Sequence, residues 1–322
     1  MNREKKIYEA CTRLLTICSN CQKHENILIV TDETSMDIGM ALWDAAEEFP
    51  NRTMVMMNPR NMHGEEPTDL VAAAMLKADV IFRATTLSLS HSTARIKACE
   101  AGARDINCCD YDLKMLEEGG LYTDFEANRK YVDQMAKGFA GGDVCHITSK
   151  LGTDYTASIK GHKLFPQYGM SLEPGKTSSP PDIECATGAM PFTANGKVVI
   201  DGSITHPEIG LLADPITLFV KDSFVTDITG GEQAEKFKKI LKEFDDPRIY
   251  QIGEIGVGLN PDATLCGRML EDEGSFGYVH VALGNNETNN TECLLHIDMM
   301  FKDPTIEVDG KVIFDEGQVV FD

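Results

Sequence analysis

The chain has 322 residues, 42% apolar and 25% charged, with 51 acidic against 30 basic side chains and a formal net charge of −21. That length calls for two domains rather than one small core, and the acidic balance excludes the basic surface that nucleic acid requires. No apolar run approaches the roughly 18 residues that cross a bilayer. The charged N-terminal segment MNREKKIYEA is not of secretory type, so a cytoplasmic protein without a membrane partner is expected.

The first half alternates strand and helix. Residues 26–32 (NILIVTD) read as a buried parallel strand, 35–48 as an amphipathic helix, 53–57 as a strand and 67–77 (PTDLVAAAMLK) as a helix. A third strand over 79–84, a helix near 92–101, a fourth strand near 105–109 and a helix over 122–137 complete the set. This alternation implies an open, mostly parallel α/β domain, here assigned to residues 1–160. No G-x-G-x-x-G follows the first strand, so a dinucleotide site has no support. Composition then shifts. Residues 174–181 (PGKTSSPP) read as a loop, followed by short β runs at 197–200, 216–220, 278–283, 305–308 and 311–314 and one helix over 232–243. Residues 161–322 are therefore expected to form a β-rich α+β domain, with an Asp309-Gly310 hairpin turn near its end. The ten cysteines read mostly as small buried hydrophobes of a reducing compartment, although Cys18 and Cys21 have C-x-x-C spacing.

Three islands in the second half combine ionisable side chains with apolar surroundings. His296 and Asp298 lie two apart inside the run LLHIDMM, so in a strand both project from one face. Glu254 lies among apolar residues and glycines in IGEIGVGLNP, and His280 sits in the middle of the strand GYVHVALG. A carboxylate buried in such company requires a partner or a cation. Two imidazoles and two carboxylates can complete a site for Zn²⁺, Co²⁺, Mn²⁺ or Fe²⁺. Glu254, His280, His296 and Asp298 are the candidate metal ligands. His91, in LSHST just beyond the third strand, is the candidate for substrate binding or acid–base work, equally readable as a helix-start residue among capping hydroxyls. His206, Arg95 and Arg104 have weaker claims.

At these residues the chain resembles the M29 metalloaminopeptidases and their relative, the 2,5-dihydroxypyridine 5,6-dioxygenases. The segments GEIGVGLNPDA, MLEDE, GYVHVALGNN, HIDMM and PTIEVDGKVIFDEG carry the likeness, as do NILIVTD, SLSHSTARIKACEAGAR, GTDYT and TANGKVVIDG. The resemblance implies that Glu254, His280, His296 and Asp298 match metal-binding positions, with His280 also placed in the catalytic machinery. It implies a small-molecule substrate and a homodimer. It implies a metal-dependent, aminopeptidase-like hydrolase acting on an amide or peptide-like molecule through metal-activated water. The alternatives are a mononuclear Fe(II) ring-cleaving dioxygenase and a non-catalytic binding protein that retains the fold. Two departures count against a two-metal aminopeptidase. Ala189 stands where a further Glu is expected, with Glu184 nearby, and Asn285-Asn286-Glu287 replace a Tyr. The dioxygenase pattern has a His where this chain has Glu254.

Overall fold

Ile27–Asp32 is buried along its whole length, as a central strand covered on both faces must be. The computed structural model in which it is seen describes residues 2–286 and 291–321, excluding the side chains of Asn286, Thr291, Glu292 and Leu294. Ile27–Asp32 pairs in parallel with Arg52–Met57 on one side and Val80–Ala84 on the other, and Val80–Ala84 pairs in parallel with Arg104–Asn107. Helices Met36–Ala45, Asp69–Met75 and Thr93–Glu100 connect these strands. Ser92 caps the last of them by accepting the Arg95 N–H at 3.3 Å. Leu28, Val30, Met57, Val71, Met75, Ile81, Leu89 and Ala98 form the apolar core.

The parallel sheet has a fifth strand. Thr177–Ser178 pairs in parallel with Arg104–Asn107, so the segment expected to be only a loop also closes the sheet edge. Arg83, inside this sheet, is fully buried. Its Nε and Nη2 donate to Asp105 Oδ1 and Oδ2 at 2.7 and 2.8 Å, and Thr177 Oγ1 donates to Asp105 Oδ2 at 2.6 Å.

Two antiparallel sheets make up the β-rich part. One has eight strands in the order Phe224–Thr229, Ile216–Lys221, Asn195–Ile200, Asp154–Ser158, Val144–Thr148, Thr305–Val308, Lys311–Asp315, Gln318–Val319. Its terminal hairpin turns through Asp309 (φ 52°) and Gly310 (φ 82°), the left-handed pair that Asp-Gly supplies. The other has seven strands, in the order Gly210–Leu211, Ser203–Ile204, Thr291–Lys302, Tyr278–Asn286, Ile252–Gly258, Ile183–Gly188, Leu164–Tyr168. Helix Glu232–Glu243 buries Ala234, Phe237, Ile240 and Leu241, the spacing of one helical face.

The chain falls into two compact units, Met1–Glu126 with Gln167–Pro181, and Ala127–Pro166 with Asp182–Asp322. A single division at residue 160 does not describe this. The hairpin strands Val144–Thr148 and Asp154–Ser158 pair into the eight-stranded sheet, whereas Thr177–Ser178 returns to the parallel one. All ten cysteines are free and eight are buried, Cys18 and Cys21 among them. Among the described residues no helix is long and apolar enough to cross a membrane.

Candidate metal centre

The seven-stranded sheet gathers the candidate ligands by register. Glu254 lies opposite Gly188 on one side and Ala282 on the other, and Ala282 lies opposite Asp298. Two residues along, Ala186, Gly256, His280 and Met300 form the next cross-strand row. Gly258 lies opposite Glu184, and Gly284 opposite His296. Directly opposed residues share a face, as do residues two apart on one strand. Glu184, Glu254, His280, His296 and Asp298 therefore project from the same side, spaced by Gly and Ala. Asp182, one residue before its strand, continues the alternation of Glu184.

The small residues are a steric requirement. A Cβ on Gly256 would stand 2.1 Å from His280 Nε2 and 2.2 Å from Cε1, so the imidazole lies where a side chain would be. A Cβ on Gly258 would stand 2.7 Å from the Glu273 carbonyl oxygen. That close approach seats the short helix Met269–Gly274 over the same face and brings Glu273 to the cluster.

His296 Nε2 lies 3.2 Å from Asp298 Oδ1, and His280 Nε2 lies 3.4 Å from Glu184 Oε2. His296 Nδ1 is 2.7 Å from the Asn285 carbonyl oxygen. A carbonyl only accepts, so Nδ1 carries a proton there, and Nε2 is the nitrogen left to face Asp298. At the cluster, among the described residues, the buried oxygens Asp182 Oδ1, Glu184 Oε2 and Asp298 Oδ1 make no hydrogen bond of good geometry.

The electrostatics follow from this crowding. Burial pushes the carboxyl groups of Asp182, Glu184 and Glu273 well above the ordinary range, and their charged neighbours, Asp298 foremost for Asp182 and Glu273, push the same way. Asp298 goes the other way. Burial opposes its charge, but the adjacent His296 outweighs it and holds the carboxylate ionised. Burial likewise opposes a charge on His296, yet Asp298 lifts that imidazole to about 10. A third of the His296 side chain (33%) is open to solvent, which screens this pair. His280 is 2% exposed, and burial lowers its pKa, leaving a neutral ring.

Carboxylate oxygens and neutral imidazole nitrogen are donors for a divalent cation, and the buried oxygens are the groups an ion would satisfy. The donor set fits such an ion by chemistry. As they stand, the imidazoles are turned onto carboxylates, and among the described residues no three donors already converge to hold one.

The register thus brings Glu254, His280, His296 and Asp298 together. Asp182 and Glu273 were missed by sequence reasoning. The only signal was an acidic residue directly before a strand and another in MLEDE, neither of which stands out locally. Ala189, where a Glu was expected, is fully buried and donates its N–H to the Gly253 carbonyl at 3.0 Å. Of the Asn285-Asn286-Glu287 departure, the Asn286 side chain and Glu287 lie outside the described residues. His91 belongs to the other unit and is exposed in the turn before helix Thr93–Glu100. His206 Nδ1 accepts the Glu208 N–H at 3.2 Å, within its own loop. Arg95 Nε is committed to the Ser90 carbonyl at 2.7 Å, and Arg104 Nη2 to Glu25 Oε2 at 2.6 Å.

Three comparisons place this geometry among known proteins. The sequence profile of the NicX family, 2,5-dihydroxypyridine 5,6-dioxygenase, matches residues 6–321. The 2,5-dihydroxypyridine 5,6-dioxygenase of Pseudomonas putida KT2440 is 30% identical over 189 residues, covering 54% of this chain and 53% of that protein. The match thus spans about half the length of the curated relative. In fold, the chain is similar to the solved 2,5-dihydroxypyridine dioxygenase structure from P. putida KT2440, with a TM-score of 0.83 at 21% identity, covering 99% of this chain and 98% of that one. It is also similar to wild-type AmpT from Thermus thermophilus, with a TM-score of 0.72 at 14% identity, covering 99% and 100%. Since the profile runs through nearly the whole sequence, both units included, the chain belongs to the NicX, or 2,5-dihydroxypyridine 5,6-dioxygenase, family.

Proposed function

We propose that this protein is a metal-dependent enzyme that opens the ring of a small hydroxylated N-heteroaromatic compound with dioxygen, its ion held by His296, Asp298 and Glu254 with His280 alongside. The observation that carries the reading is the His296–Asp298 pair. One imidazole nitrogen is anchored on a backbone carbonyl, and the other faces a buried carboxylate oxygen at 3.2 Å. Family membership supports the dioxygenase over the aminopeptidase-like hydrolase that the sequence led us to expect first. An iron(II) ion bound there would supply Lewis acidity and redox chemistry with O₂.

The chain's own residues have separate tasks in this reading. The Asn285 carbonyl holds the Nδ1 proton of His296, so Nε2 is the nitrogen that would be offered to an ion. His280, kept neutral by burial, is a ligand or proton acceptor at Nε2. Ile255, Val257, Val281 and Ile297 alternate with the cluster residues and are buried on the opposite face of the sheet, where they anchor the strands that carry the cluster.

A second reading, hydrolysis of an amide through metal-activated water, is favoured by the surplus of carboxylates. Glu254 stands where the dioxygenase pattern has His, and Glu184 lies beside His280. Such a donor set suits harder ions than a two-His site does.

Metal analysis of protein purified without added ions, followed by assays on 2,5-dihydroxypyridine, tests the proposal. The expected result is bound iron with O₂ consumption, both lost in His296→Ala. Zinc, cobalt or manganese, with anaerobic amine release from an amide panel, would favour hydrolysis. No bound metal, together with an unchanged melting temperature in His296→Ala, would refute both readings.

A further inference from the structure

Asp298 is gripped by one residue from a neighbouring loop. The Thr205 N–H donates to the Asp298 carbonyl at 2.9 Å, and the Asp298 N–H donates to Thr205 Oγ1 at 2.9 Å. Thr205 Oγ1 also lies 3.3 Å from the Asp298 carbonyl and 3.5 Å from Asp298 Oδ2. The hydroxyl has one proton to give. The carbonyl already takes the Thr205 amide, whereas Oδ2 is a carboxylate oxygen, and charge-assisted hydrogen bonds are the stronger kind. The two oxygens of Asp298 are therefore unlike. Oδ2 is turned to Thr205, at 3.5 Å, while Oδ1 faces His296 Nε2 at 3.2 Å, and the Glu273 carboxyl also hydrogen-bonds this carboxylate.

Thr205 is placed to do this by the sheet. It directly follows the two-residue strand Ser203–Ile204, which pairs with the His296 strand through Ile204 and Met299. Thr205 thus arrives opposite Asp298 by register. Its neighbour His206 turns away into its own loop.

We propose that Thr205 is a positioning residue: it fixes the Asp298 backbone, keeps Oδ2 on its own side and so directs Oδ1 towards His296 Nε2 as the ligand oxygen. This rests on the reading of Asp298 as a metal ligand and adds how that ligand is oriented. Hydrogen bonds to ligating groups are worth roughly 10- to 100-fold in metal affinity. Thr205→Val keeps the shape but removes both hydroxyl functions, whereas Thr205→Ser keeps them.

The test is titration of the metal-depleted wild type and variants with Co²⁺, read by calorimetry and by the visible absorption of the bound ion. Thr205→Val is expected to bind Co²⁺ about 10- to 100-fold more weakly, with a changed spectrum as the freed carboxylate offers both oxygens. Thr205→Ser restores affinity and spectrum. A merely structural role would shift the melting temperature of the metal-free protein without changing the spectrum. Thr205→Ala, which adds no bulk, carries the same readout should the valine variant not fold. A valine or alanine variant with wild-type affinity and spectrum overturns the proposal alone. A wild type that binds no Co²⁺ overturns the metal reading and this inference together.

Discussion

A single methyl group at Gly256 tests the packing of the candidate centre. In Gly256→Ala the new Cβ would stand 2.1 Å from His280 Nε2, far inside the roughly 3.5 Å of ordinary contact, so the imidazole must retreat by more than about 1 Å. The ring is 2% exposed and sits 3.4 Å from Glu184, so retreat costs both packing and the contact with that carboxyl. Overpacking of this kind costs about 1–3 kcal/mol. At about 2–4 °C per kcal/mol for a body of this size, melting falls by about 2–12 °C. The assay is thermal unfolding in chelator, with His280→Ala and the double variant closing a cycle. Removing the ring empties the space that the methyl needs. Gly256→Ala should therefore be nearly neutral in the His280→Ala background, with a coupling of about 1–3 kcal/mol. If the two penalties simply add, within about 0.5 kcal/mol, His280 is not what makes glycine necessary, and the reasoning fails.

Asp105→Asn leaves the fully buried Arg83 guanidinium without its counter-charge and should cost about 3–5 kcal/mol in urea unfolding; a loss under about 1 kcal/mol would show the pair to be dispensable. The metal-free protein should be destabilised by alkali. Asp182, Glu184 and Glu273 keep protons in the folded state that the unfolded chain releases near pH 4, so their stabilisation is complete below that value and is lost as pH climbs through their raised pKa values. His296 acts in the same direction, its contribution being lost as pH rises from about 6.5 through about 10, while the depressed pKa of Asp298 opposes this only in strong acid. Melting curves in chelator from pH 5 to 9 check the sign. A divalent ion should flatten the slope, and a metal-free melting temperature that rises across this range would contradict the clustering of carboxylates.

Much of the first unit was legible in the sequence because each element there is a continuous segment with its own period. Ile27–Val30 is an unbroken apolar run, and the helices between strands repeat every three or four residues. Thr177–Ser178 was not legible. Two small polar residues between prolines and a lysine carry no periodicity, and only pairing with Asp105 and Ile106 makes them a strand. The weaving of the chain between units was hidden for a related reason. The strands Val144–Thr148 and Asp154–Ser158 read much like the strands of either unit, and their partners decide where they belong.

By itself, the sequence determined that His296 and Asp298 project together, because alternation along a strand is a local property of two residues. It also marked Glu254 and His280, since a charge among apolar neighbours is anomalous wherever it folds. Only tertiary structure decided that these four share a face with Glu184 and Asp182, that Glu273 descends on them from a helix, and that Thr205 grips Asp298. Those relations depend on register between strands far apart in sequence, and no local pattern records which residue will lie opposite which.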